Sequence, residues 1–73
     1  MRLIQEAIRN RKDLEMTYLK GTNEKSRRVV TPGLVGEMEY EGRKYLGLRG
    51  FDSLRKQDRT FRVDRILELK PLT

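Results

Sequence analysis

The stretch Arg59-Thr60-Phe61-Arg62-Val63-Asp64-Arg65-Ile66 threads three arginines through a short apolar strand. In an extended strand successive side chains point to opposite faces, so Phe61 and Val63 enter a core while Thr60 and Arg62 face solvent. Arg59 has the parity of Phe61 and Val63, which places its guanidinium at the end of the buried face, near the mouth of the core. A guanidinium there needs a partner or an anion, because burying an unpaired charge is costly. Asp64-Arg65 reads as a tight turn, and Ile66 to Leu69 as a short final strand before Pro71.

The remaining segments supply the sheet this strand joins. Leu14, Met16 and Tyr18 alternate with Glu15, Thr17 and Leu19, giving a first strand that stops at Lys20-Gly21-Thr22-Asn23. Arg27 to Thr31 is a second, β-branched strand, and continuity past Pro32 requires an edge position or a bulge. Leu34 to Tyr40 and Arg43 to Leu48 flank Glu41-Gly42, a two-residue hairpin turn. Gly50 and then Asp52 to Asp58 read as a charged connector. Leu3, Ile4, Ala7 and Ile8 recur on one helical face, so residues 2 to about 10 form a short amphipathic helix that must lie on something else. Short strands at regular spacing after one helix predict a mainly β fold, a small, highly bent five-stranded barrel with a short N-terminal α-helix.

The 73 residues make one small domain, 1–73, whose core contributes only about 3 to 5 kcal/mol. The chain has no cysteine and no histidine, which removes disulfides, thiolate metal sites and the commonest general base and metal ligand. No apolar run approaches the ~20 residues of a membrane span, so the expectation is a cytoplasmic chain with no membrane partner. The net charge of +6 favours anionic partners, nucleic acid first. The excess is concentrated: residues 43 to 65 carry eight Lys or Arg against three acids.

Enzyme motifs do not assemble. Lys20-Gly21-Thr22 lacks the preceding glycine and following helix of a phosphate loop. Glu37, Glu39 and Glu41 alternate on a strand as a solvated face would, so neither a metal nor a cofactor is expected. Aromatics interleaved with basic strands suit base stacking or the core: Phe61 reads as core, while Tyr18 and Tyr45 suit either role. Arg28 is either an outward strand residue or a second anion donor across from Arg59 and Arg62. Arg65, in its turn, suits a structural hydrogen bond to backbone carbonyls or a ligand contact.

The pattern resembles the WYL domain, a small Sm-like, SH3-type barrel usually appended to bacterial transcription regulators and to some CRISPR-associated proteins. The resemblance covers nearly the whole chain. Ile4 to Ile8 looks like the family's lead-in helix, Leu14 to Tyr18 like its first strand, and Arg28-Val29-Val30-Thr31-Pro32 like its Arg-x-Val-x-Pro segment. The naming tripeptide stands as Lys44-Tyr45-Leu46, with lysine for tryptophan. Leu54-Arg55 followed by Arg59 to Ile66 is similar to the closing signature. The family's helix-turn-helix partner is not found in these residues.

WYL domains are ligand-sensing modules, some of which bind single-stranded DNA or related nucleic acid. By position, the resemblance implies Tyr18, Arg28, Tyr45, Arg55, Arg59, Arg62 and Arg65 as the ligand-binding residues. The expected function is therefore non-enzymatic capture of an anionic ligand: single-stranded nucleic acid, or a nucleotide. The alternative is an interaction module that forms a homo-oligomer or docks on a partner domain, with Leu34, Val35 and Met38 as candidate surface.

Overall fold

A computed structural model describes residues 2–72; the ends of the expected 1–73 domain, Met1 and Thr73, lie outside the described residues. Helix α1 (Arg2–Asn10) is followed by β1 (Leu14–Leu19), β2 (Lys25–Tyr40), β3 (Arg43–Asp52), β4 (Gln57–Arg62), a 3-10 turn at Val63–Arg65, and β5 (Ile66–Pro71). The helix ends where its apolar face ends. Arg11 takes a left-handed φ of 54°, so its N–H donates to the Ile8 carbonyl and that of Lys12 to the Ala7 carbonyl, which satisfies carbonyls the last turn leaves open.

The five strands form one antiparallel sheet in the order β4-β3-β2-β1-β5. This is the mainly β, five-stranded architecture with an N-terminal helix that the sequence predicts. The sheet curls strongly. Strands β1 and β4 stand three places apart in the order, yet Tyr18 packs edge-on against Phe61 with ring centroids 5.2 Å apart, and the Arg62 N–H donates to the Tyr18 hydroxyl at 3.0 Å. Ile4, Ala7, Leu14, Met16, Val30, Leu48 and Phe61 are buried inside the curl, with the helix covering one side.

Several strand boundaries differ from the sequence reading. The two segments either side of Pro32 are one long strand, β2, whose register shifts between Pro32 and Leu34. A bulge is one of the few places where a proline is accommodated in a ladder. Strand β3 continues past Leu48 to Asp52, and β4 begins at Gln57, so the charged connector shrinks to residues 53–56. Pairing with neighbours, not local composition, extends these strands: Gly50 lies opposite Arg59 and Asp52 opposite Gln57. Val63 is not the end of a strand but the start of the 3-10 turn that contains Asp64 and Arg65.

The turn at Glu41-Gly42 is as expected, with φ of 50° and 78° at the two residues, the positive pair a tight hairpin requires. Glu41 thereby leaves the strand alternation that Glu37 and Glu39 keep. Of the residues considered for a docking surface, Leu34 is exposed, whereas Val35 packs against the core and Met38 is half-buried. No helix among the described residues is long and apolar enough to cross a membrane.

Candidate anion-binding site

At the mouth of the curl, β1, β2 and β4 enclose a cleft of about 210 Å3 lined by Tyr18, Lys20, Gly21, Arg28, Arg55, Arg59, Thr60 and Phe61. Each strand contributes by its parity. Phe61 turns inward as floor, and Arg59, two residues earlier on the same face, reaches the rim half-buried. Tyr18 ends the inward row of β1, and the turn beyond it presents Lys20 and Gly21. Arg55 comes from the tight turn after β3, where the Lys56 N–H donates to the Asp52 carbonyl at 2.7 Å.

Arg28 departs from the outward reading. Its side chain is 3% exposed and forms an ion pair at 2.6 Å with Asp52, which is fully buried. A second guanidinium nitrogen donates to Ser26 Oγ at 2.5 Å, and the Cζ stands 5.6 Å from the centre of the Phe61 ring. Asp52 Oδ1 also accepts from the Leu54 N–H at 2.9 Å, so the same carboxylate anchors the turn that carries Arg55. Arg28 Nε is buried without a hydrogen-bond partner.

The cleft is electrostatically one-sided. Four cationic side chains line it and no acidic one does. Asp52 neutralises Arg28 from behind, but among the described residues no carboxylate lies within ion-pair distance of Lys20, Arg55 or Arg59. These three like charges line one open cleft, an arrangement whose repulsion a bound anion would relieve.

The sequence-derived residues do not converge on one place. Tyr18, Arg28, Arg55 and Arg59 share this cleft. Tyr45 and Arg62 lie together elsewhere, beside the β2–β3 hairpin, with the Arg62 Cζ 5.0 Å from the Tyr45 ring centre. Arg65 lies at neither place: its Nε donates to the Leu19 carbonyl at 2.9 Å and its terminal nitrogen to that of Lys20 at 2.8 Å. It thus clamps the end of β1 from which Lys20 projects. Lys20 and Asp52 were not legible as site residues. Lys20 follows the Tyr18 strand end directly, a placement that the turn signal at Gly21 could have given; Asp52 depends on the β2 bulge, which brings it opposite Val30.

A strongly curled, five-stranded β domain with a cationic, aromatic-walled cleft at its mouth is thus defined. The chain belongs to the WYL domain family, whose model matches residues 1–71. Among solved structures it is similar to proteasome accessory factor B/C (PafBC) of Arthrobacter aurescens, with a TM-score of 0.81 and 24% sequence identity, a likeness of fold. The match covers 96% of this chain and 10% of that one, so the chain spans about a tenth of that protein's length. A comparison with curated protein sequences found no match.

Proposed function

We propose that the chain is a non-enzymatic, regulatory ligand-sensing module whose cleft captures an anion, a single-stranded nucleic acid or a nucleotide. The observation that carries this reading is Arg59: half-buried, without a carboxylate partner among the described residues, and beside Lys20 and Arg55 in a cleft lined by no acid. Phosphate suits this arrangement because guanidinium groups donate paired hydrogen bonds to its oxygens. Arg28, buried and neutralised by Asp52, is part of the wall of that space and not one of its free charges. Membership in a family appended to bacterial transcription regulators supports the sensing role.

Fluorescence anisotropy with labelled single-stranded DNA, single-stranded RNA and duplex, at two salt concentrations, tests the reading. If Lys20, Arg55 and Arg59 each neutralise one phosphate, log affinity for a single strand falls against log salt with a slope of roughly −2. Arg59→Ala weakens binding about tenfold or more, the loss of a charge-assisted contact. A flat salt response, or wild-type affinity in a folded Arg59→Ala, rejects the proposal.

A second reading, self-association or docking on a partner domain, draws on one observation. Leu34 and Phe51, 59% and 44% exposed, flank a shallow cleft at the β2 bulge. Light scattering separates the two: a monomer that binds oligonucleotide supports the first reading, and a stable oligomer indifferent to it replaces the first with the second.

A further inference from the structure

The face of the sheet turned away from the core carries its own cationic and aromatic surface. Residues directly opposite in an antiparallel ladder project from the same face. Met38 lies opposite Tyr45, Tyr40 opposite Arg43, and Gly47 opposite Arg62. These side chains therefore share one face, while Leu48 and Phe61, one residue out of step, pair on the core side. The same parity separates Arg59 from Arg62.

Gly47 shapes this surface. A Cβ there would lie 2.5 Å from Met38 Sδ and 3.0 Å from the Tyr45 ring, so its absence lets both side chains lie across the strand. Arg62 then stacks on Tyr45 at 5.0 Å. Its ion pair with Asp64, at 3.4 Å between half-exposed or more exposed groups, holds it only weakly. Tyr40 is 66% exposed and, with Tyr45, Arg43, Lys44 and Arg62, lines a cleft of about 470 Å3 whose one acid is Glu41.

We propose that this outer face is a base-stacking subsite for single-stranded nucleic acid, distinct from the cleft at the mouth. It rests on the anion-binding reading of that cleft and narrows it: the ligand is a strand of several nucleotides, not one nucleotide. The chemistry favours a nucleobase because the exposed Tyr40 ring and the planar guanidinium stacked on Tyr45 offer flat surfaces, with cations at hand for the flanking phosphates. An acidic peptide would use the cations but leave the flat surfaces idle. The geometry supplies the route. Strand β4 is an edge of the sheet, so a strand passing round that edge meets Arg59 on one face and Arg62 on the other.

The test is anisotropy of the full chain with a labelled single strand of about ten nucleotides, DNA and RNA in separate arms, with a nucleoside monophosphate and an acidic peptide as competitors. Tyr40→Ala and Arg62→Lys, the latter keeping the charge but not the planar fork, are each expected to weaken strand binding about tenfold. Competition by the monophosphate at the first cleft stays as in the wild type. Tyr40 is exposed enough for its loss to leave the fold intact, and circular dichroism checks this. Wild-type strand affinity in Tyr40→Ala overturns the subsite; if Arg59→Ala still loses binding, the reading of the first cleft stands without it. Loss in Tyr40→Ala with none in Arg59→Ala upholds the stacking face and removes the first cleft. Preference for the acidic peptide overturns the assignment to nucleic acid.

Discussion

Arg28 and Asp52 set the terms of the cleft. They form a buried ion pair, and such pairs add little net stability while making the loss of either partner expensive. Asp52→Ala strands a buried guanidinium whose Nε already lacks a partner and releases the turn bearing Arg55. The expected cost is about 3 to 5 kcal/mol, comparable with the whole stability of a domain this small. Urea denaturation should show Asp52→Ala largely unfolded, while Arg28→Met combined with Asp52→Leu recovers most of the loss. An Asp52→Ala midpoint near the wild type's contradicts the account. Arg59 was legible from parity alone, since its position relative to Phe61 is local. Arg28 was not, because its partner lies 24 residues away and is brought to it by a bulge that no nearby residue specifies in detail.

Strand β2 is the element that makes the sheet curl, pairing with β1 over Lys25–Val30 and with β3 from Val30 to Tyr40. The bulge after Pro32 lies where one role passes into the other. Gly50, opposite Pro32, is there because of close backbone approach: an added Cβ would meet the Thr31 carbonyl oxygen, lie 2.9 Å from the Pro32 Cα and 3.0 Å from Val30 Cγ1. Gly50→Ala therefore forces the β2–β3 ladder apart, at an expected cost of about 1 to 3 kcal/mol. Thermal melts of Gly50→Ala and Gly36→Ala make the comparison, because a Cβ at Gly36 meets nothing within 4 Å; equal melting temperatures would contradict it. The proline announced the bulge in the sequence, and the Glu41-Gly42 turn announced the hairpin. The extent of β3 and β4 was hidden because charged residues on outward or end positions of paired strands look locally like a loop, and only tertiary pairing reveals them as strand.

The molecule as a whole has a Cα radius of gyration of 11.6 Å, close to the ~11 Å expected for a compact chain of this length. Its buried apolar core is nevertheless small, seven side chains among the described residues, and the +6 net charge works against compaction. A polyanion bound as proposed would offset that repulsion and link capture to stability: the melting temperature is then expected to rise with the logarithm of ligand concentration once that exceeds Kd. Where the ligand sits is read by titrating the isotopically labelled chain with a single-stranded oligonucleotide and following backbone amide chemical shifts. The expected result is that Lys20, Gly21, Arg59 and Thr60 move first and furthest. Stationary resonances there, with movement confined to Leu34 and Phe51 or with none at all, would show that the cleft is not the site.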